Sequence, residues 1–263
     1  MRPKTLTMCL TVSVLFGVVV IMGCAADLPT VQKRLEPHYL VHRPRGPGPF
    51  PAIMLVPGCS GVRPGGSTAR IRTAEELRDQ GFFVIFVDYV SARGLQSACR
   101  DEVSLDEVAQ DVMASASYLK SQSSTPISSV GVIGWSLGGG AVLSALASLR
   151  QDEPPPLQAA AVYYPICRGL WPWKVRIPAL LLLGELDAIT PPGPCKDLVS
   201  RVPGESPTKL RIYPGAHHSF DIPGLAVGPS ARLGGRTVGY NQQAAVGAWR
   251  EITEFFRQYL PKN

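Results

Sequence analysis

The stretch VGVIGWSLGGGAVLSAL, Val130 to Leu146, changes character at its middle. An apolar run reaches Ile133, then Gly134-Trp135-Ser136-Leu137-Gly138 intervenes, and Gly139, Gly140 and a helix-forming segment follow. A Gly-x-Ser-x-Gly pattern arises readily by chance, so alone it says little. Its context says more. A serine between a buried strand and a helix, with neighbours small enough to let the two approach, has the sequence form of a nucleophile elbow. There the hydroxyl stands at a helix N-terminus, whose free N–H groups favour an oxyanion. The competing reading is a phosphate-binding or merely tight glycine-rich turn.

Working outward, similar apolar runs bounded by Gly, Pro or Asp recur at Ala52–Val56, Phe82–Val87, Val130–Ile133, Ala159–Tyr164, Ala179–Leu183 and Leu210–Tyr213. Several do not alternate, as expected of strands buried on both faces. Helical stretches separate them: Thr68–Gln80, Leu105–Ser121, Leu137–Leu149 and Gln242–Leu260. In the second, Leu105, Val108, Val112, Ala116 and Leu119 return at helical spacing. This alternation predicts an α/β fold, a mainly parallel sheet with helices on both faces. His38–Arg43 reads as an earlier edge strand. In such sheets chemistry gathers at the carboxyl ends of the strands.

A serine nucleophile needs a base, and the base needs an orienting carboxylate, following in the chain order Ser, acid, His. After Ser136 the candidates are few. In ALLLLGELDAITPP a buried strand ends at Glu185 and Asp187. Asp187 lies beyond the turn, before a proline-rich loop, and is the preferred acid; Glu185 is its rival. KLRIYPGAHHSFD supplies His217 and His218, the only histidines after Ser136. One is the expected base, the other a loop residue. His38 and His42 sit far upstream, near the edge strand, and read as surface residues.

Composition bounds the rest. The chain has 263 residues, 45% hydrophobic and 17% charged, without repeat or low-complexity linker, which favours one domain. Its formal charge is +6, of which Arg2 and Lys4 supply two, and the basic residues are scattered without an aromatic-interleaved stripe. A nucleic-acid partner is therefore not expected. Met1-Arg2-Pro3-Lys4 followed by the uncharged run Thr5–Met22 reads as a signal peptide over residues 1–23. Gly23-Cys24 resembles a lipobox, with Cys24 the candidate lipidation site and lipid anchor; the alternative is an uncleaved membrane anchor. The expectation is export, to the periplasm or as a membrane-anchored bacterial lipoprotein, with one domain over 24–263. Cys59, Cys99, Cys167 and Cys195 then remain, an even number that invites disulfides in an oxidising compartment. No Cys or His spacing suggests a metal.

These motifs resemble the dienelactone hydrolase family of the α/β-hydrolase superfamily. The resemblance runs through MLVPGCSG, VDYVSARGLQSAC, GWSLGGG, YYPICRG, LLLGELDAITPPGPC, YPGAHHSFD and RTVGYNQQAA, over nearly all of Leu28–Asn263. It implies an α/β-hydrolase fold and a Ser-His-Asp hydrolase of carboxylic esters or lactones, acting through an acyl-enzyme without a cofactor. It selects His218, two residues before Phe220, over His217, and agrees with Asp187. It puts one oxyanion donor at the amide of Cys59, beside the elbow's own donor, the amide of Leu137. Ser60, in the same loop, lacks the strand-to-helix context.

The departures from the family matter as well. Its best-known members carry a cysteine nucleophile with a glutamate in the oxyanion loop; here Ser136 stands in the elbow and Pro57-Gly58-Cys59 has no Glu. Those enzymes hold a lactone carboxylate with two arginines. Arg93 matches the first, but Asp221 falls near the second. A more general ester or lactone hydrolase is therefore expected, turning over neutral esters faster than an anionic dienelactone. Arg93 and Trp135 are candidate substrate-binding residues, as are Trp171 and Trp173, with packing or an ion pair as the alternative in each case. Other readings are an acyltransferase using the same three residues and a non-catalytic binding protein on a hydrolase scaffold. In this topology neighbouring strands bring their following loops together, which predicts the pairs Cys59–Cys99 and Cys167–Cys195.

Overall fold

The apolar runs become the strands β2 (Phe50–Val56), β3 (Phe83–Val87), β4 (Ile127–Trp135), β5 (Ala159–Tyr163), β6 (Ala179–Gly184) and β7 (Thr208–Tyr213). The computed structural model describes residues 27–62, 68–100, 103–150, 152–170, 175–201 and 207–261. These strands pair in parallel in the order β3–β2–β4–β5–β6–β7. The expected edge strand, β1 (Tyr39–His42), joins β3 antiparallel and completes a seven-stranded sheet. The α/β-hydrolase fold expected from the sequence is the fold observed.

Burial explains why the strands do not alternate. Along β2, Ala52, Met54 and Val56 enter one core while Ile53 and Leu55 enter the other. In β3, Phe83, Ile85 and Val87 divide from Val84 and Phe86 in the same way. The first core is closed by α1 (Leu28–Leu35), α3 (Leu105–Lys120) and α4 (Leu137–Ala147), through Val31, Leu35, Val108, Val112 and Leu143. The second is closed by α2 (Thr68–Asp79) and α6 (Gln242–Tyr259), through Leu77, Ile252 and Phe256. Each face of the sheet is thus removed from water by helices, which is what makes a continuous apolar strand stable. Among the described residues no helix is long and apolar enough to cross a membrane.

Local chemistry fixes the helix ends. Ser104 and Glu107 form a reciprocal capping box at the start of α3. Four elements were not legible. α1 is short, capped by Asp27 accepting from the Thr30 amide at 3.3 Å. α5 (Pro192–Ser200) begins inside the run read as a proline-rich loop. Proline is tolerated in a first helical turn, where its missing N–H would have no intrahelical partner. A small antiparallel pair, β8 (Gly228–Ser230) and β9 (Arg236–Val238), lies outside the main sheet.

Sheet order also explains the cysteine chemistry. β2 and β3 are neighbours on one side of β4, and β5 and β6 are neighbours on the other. The structure joins Cys59 to Cys99 with Cα atoms 4.8 Å apart, and Cys167 to Cys195 at 5.1 Å. Cys195 is carried by α5 rather than by a loop, so the second bond ties that helix to the segment after β5. The two bonds span 40 and 28 residues of sequence. On a chain-entropy basis each is worth about 3–4 kcal/mol. Replacing either pair by serine is expected to lower Tm by roughly 10 °C. Reductant should lower the wild-type Tm and leave a four-serine variant unmoved; a wild-type melt insensitive to reductant would contradict the bonds.

Candidate active site

Ser136 stands between β4 and α4 with φ 52° and ψ −116°, a conformation L-residues rarely adopt. Its amide donates to the Tyr163 carbonyl at 3.0 Å and its carbonyl accepts from Gly140 at 2.9 Å, so β5 and α4 hold the turn. The flanking glycines are steric necessities. A Cβ on Gly138 would lie 2.2 Å from the Pro57 carbonyl oxygen and 2.5 Å from that of Val56. One on Gly134 would meet the Gly138 oxygen at 2.8 Å, and one on Gly140 the Ile166 oxygen at 2.8 Å.

His218 follows β7 and is held by the β8–β9 segment: it bridges to Val238, and its carbonyl accepts from Gly239 at 3.1 Å. Its Nε2 lies 3.1 Å from Ser136 Oγ and its Nδ1 2.7 Å from Asp187 Oδ2. An ionised carboxylate only accepts, so Nδ1 carries the proton and Nε2 is free to accept from the hydroxyl. Asp187 and His218 are only 4% and 2% exposed, which keeps water from competing for these bonds. Asp187 Oδ1 accepts from the Ile189 and Thr190 amides at 2.8 and 2.9 Å, and Thr190 Oγ1 lies 2.9 Å from Oδ2. The aspartate is therefore clamped by its own loop before the imidazole arrives.

The rivals are turned elsewhere. Glu185 is exposed and accepts from the Gly215 amide at 2.9 Å. His217 Nδ1 pairs with the Leu186 carbonyl at 3.1 Å. Ser60 is exposed in the turn after β2.

Ser136 opens into a cavity of about 530 Å³. Cys59, Cys99 and Cys167 line it, together with Leu137, Ile166 and Thr190. Among the described residues the amides of Leu137 and Cys59 make no hydrogen bond, so two donors are free at the mouth of the elbow. A Cβ on Gly58 would sit 3.3 Å from that of Ser136, a measure of how near the Cys59 loop comes. Arg168 and Arg236 are exposed on the cavity wall, which carries no carboxylate among the described residues that line it. The sequence reading missed both arginines, because Arg236 reaches the site only through the unrecognised β8–β9 pair.

Two candidate substrate contacts are corrected. Trp135 is 2% exposed, stacks on Tyr163 with ring centroids 5.7 Å apart, and does not line the cavity. It follows the strand alternation into the core beneath the elbow. Arg93 does not line the cavity either; it pairs with Asp111 at 2.5 Å and donates to the Tyr89 carbonyl at 3.0 Å. Asp111 is fully buried on α3, and burial pushes its carboxyl up despite Arg93 and Arg34, so it needs both cations. Trp171, Trp173 and Cys24 lie outside the described residues.

Below the cavity, Arg70 on α2 meets Asp221, three residues after His218, in a buried ion pair. Asp221 also accepts from Trp135 Nε1 at 2.9 Å and from the Tyr164 hydroxyl at 2.6 Å. Burial opposes ionisation of Asp221, but the Arg70 guanidinium outweighs it and holds the carboxyl below its usual range. The aspartate that the sequence marked as a missing arginine is thus a partner to another arginine.

The dienelactone hydrolase family model matches residues 38–260. Among solved structures, a dienelactone hydrolase from Anabaena variabilis superposes with TM-score 0.60 at 21% identity, covering 84% of this chain and 91% of that one. A dienelactone hydrolase-like promiscuous phosphotriesterase from metagenomic libraries gives 0.61 at 19%, covering 81% and 87%. A serine hydrolase without lid from Xanthomonas campestris gives 0.56 at 18%, covering 86% and 90%. At these identities the likeness is one of fold. No curated protein matches the chain.

The steric argument is open to direct test. Gly138→Ala must separate α4 from the loop after β2, an overpacking cost of about 1–3 kcal/mol. The expected outcome is a lower Tm together with slower labelling of Ser136 by a fluorophosphonate. An alanine variant equal to wild type in both would refute the close approach.

Proposed function

The chain belongs to the dienelactone hydrolase family, and we propose that it is a serine hydrolase cleaving small or medium carboxylic esters or lactones through an acyl-enzyme. The observation that carries this reading is the hydrogen-bonded chain Ser136–His218–Asp187, whose serine lines a cavity. His218 Nε2 takes the Ser136 proton as Oγ attacks the carbonyl carbon. The tetrahedral oxyanion accepts from the amides of Leu137 and Cys59, donors already fixed in place. His218 then returns its proton to the departing alkoxide. Water, deprotonated by the same imidazole, releases the acid and restores Ser136. Asp187 fixes the imidazole tautomer and stabilises the imidazolium.

The substrate class follows from charge. Arg93 is committed to Asp111, and Asp221 to Arg70, so the two positions that hold a lactone carboxylate in the family are not available for it. Arg168 and Arg236 are solvent-exposed and screened; they attract anionic esters without holding them in a dry pocket. In this reading the protein works outside the cytoplasm as one domain over 24–263, after loss of residues 1–23, in the periplasm or anchored through a lipid on Cys24. The two disulfides support an oxidising compartment.

Ser136→Ala is expected to lose at least about 10³-fold in ester turnover while staying folded. A fluorophosphonate should label Ser136 alone. His218→Ala should be inactive and His217→Ala close to wild type; the reverse would displace the base by one residue, and labelling at Ser60 would sink the mechanism. For substrate choice, neutral phenyl or alkyl esters should show higher kcat/KM than dienelactone. Replacing Arg168 and Arg236 by alanine should lower kcat/KM for a carboxylate-bearing ester by about tenfold at low salt, an effect that fades as salt is added. Turnover of a neutral ester should be unmoved; an equal loss on both would show the arginines act on structure, not on charge.

A further inference from the structure

We propose that Asp221 and Arg70 are positioning residues, which hold in register the ends of β4 and β5 and the loop after β7, and through them Ser136, the Thr190 support of Asp187, and His218; this rests on the hydrolase reading above. The first strand end is that of β4. Trp135 immediately precedes Ser136, its Nε1 donates to Asp221 Oδ2 at 2.9 Å, and the Arg70 guanidinium lies 4.3 Å over its ring. The ring is therefore fixed edge and face, and with it the residue from which the elbow departs.

The second strand end is that of β5. Tyr164 follows it with φ 36°, a strained state for a bulky residue that persists only where its surroundings enforce it. The hydroxyl donates to Asp221 Oδ1 at 2.6 Å and accepts from Arg70 Nη2 at 2.6 Å. The amide donates to the Leu182 carbonyl at 2.7 Å. So held, Tyr164 acts on the site twice. Its carbonyl lies 2.9 Å from Thr190 Oγ1, which stands 2.9 Å from Asp187 Oδ2 and 3.1 Å from His218 Nδ1. Its ring packs on the His218 imidazole with centroids 4.3 Å apart.

The third is the loop after β7. Asp221 belongs to the same turn as His218, with Ser219 between them at φ 63° and Phe220 wholly buried. Pinning Asp221 limits how far that turn can rotate, and so where Nε2 points. One buried carboxylate thus reaches all three segments, and Arg70, from α2, supplies the charge that lets it remain ionised there. None of these four side chains lines the cavity. Their removal should therefore alter the rate of acylation and leave substrate binding alone.

Removing one member strands a buried charge, which confuses loss of position with loss of fold. The informative variant is the double substitution Arg70→Met with Asp221→Leu, compared with the conservative Arg70→Lys. Assayed well below its melting temperature, the double variant should show kcat lower by at least about tenfold with KM within about twofold, and equally slower fluorophosphonate labelling of Ser136. Arg70→Lys should recover part of the rate. The downfield proton resonance of the His218 Nδ1–H···Asp187 bond, observable without substrate, should broaden in the double variant and stay sharp in wild type. A folded double variant with wild-type kcat and a sharp resonance would overturn the proposal. Should the double variant fail to fold, Asp221→Asn is read by the same two measurements, with the same criteria. A wild-type protein that hydrolyses no ester, yet whose resonance is lost in the variant, would remove the hydrolase reading and leave the positioning role standing.

Discussion

The carbonyl oxygens of Val56 and Pro57 lie so close to Gly138 that no side chain fits between them. That contact is backbone against backbone, and the site depends on it. β2 and β4 are adjacent in the sheet, so the loop leaving β2 and the helix leaving β4 must share one small volume. In the hydrolase reading, sharing it without side chains sets the amide of Cys59 and the first amide of α4 as the oxyanion donors beside Ser136. Neither donor can drift, because one is carried by a helix terminus and the other by a loop cross-linked to Cys99. The Cys59 carbonyl is occupied as well, by the Ala98 amide at 2.7 Å. Fixed donors need no reorganisation when negative charge arrives, and such preorganisation is where much of the stabilisation of an oxyanion originates.

The remaining groups are brought to that point by loops, and each loop solves the same problem of burying polar atoms without leaving them unpaired. Asp187 does so locally, since both its oxygens are occupied within its own turn and by His218. Glu185, two residues earlier, lies on the solvent side of the same turn and accepts from the Gly215 amide. The choice between the two carboxylates is thus made by which one the turn can enclose. His218 is not fixed by its own turn in the same way: its neighbour Ser219 has positive φ, and the imidazole's partners lie on other segments. It borrows its support from β9 and from Asp221.

Much of this was legible in the sequence, for identifiable reasons. Strands buried on both faces announce themselves as uninterrupted apolar runs, and Ser136 and Asp187 each stand just past one, while His218 follows the partly exposed edge strand β7. Their chain order then follows the architecture. The cysteine pairs were legible because strand adjacency decides which loops meet. What failed to show was whatever depends on a partner far away in sequence. Arg93 and Trp135 stayed open between substrate contact and ion pair or packing, because nothing local reveals that Asp111 claims one and Asp221 the other. α5 was hidden by prolines that usually break helices but can begin them. β8 and β9 are too short to leave a periodic signal, and Arg236 entered the cavity unnoticed with them.

The buried ion pair beneath the site raises a question of economy, since apolar residues of similar volume often stabilise a core as well or better. Backbone strain gives a physical answer. Among the described residues, the non-glycine positions with positive φ are Ser136, Tyr164 and Ser219, and all three border the Ser136–His218–Asp187 chain. Each such residue tends to relax toward ordinary backbone geometry, which would rotate the elbow, the Thr190 support or the imidazole. Apolar packing resists compression but is nearly indifferent to rotation, because dispersion is not directional. Hydrogen bonds to a charged group are directional and comparatively strong. Asp221 receives them from Trp135, Tyr164 and Arg70, and those bonds act on the residue before Ser136, on Tyr164 itself and on the turn containing Ser219. A charge buried there, at a desolvation cost, opposes all three relaxations from one point.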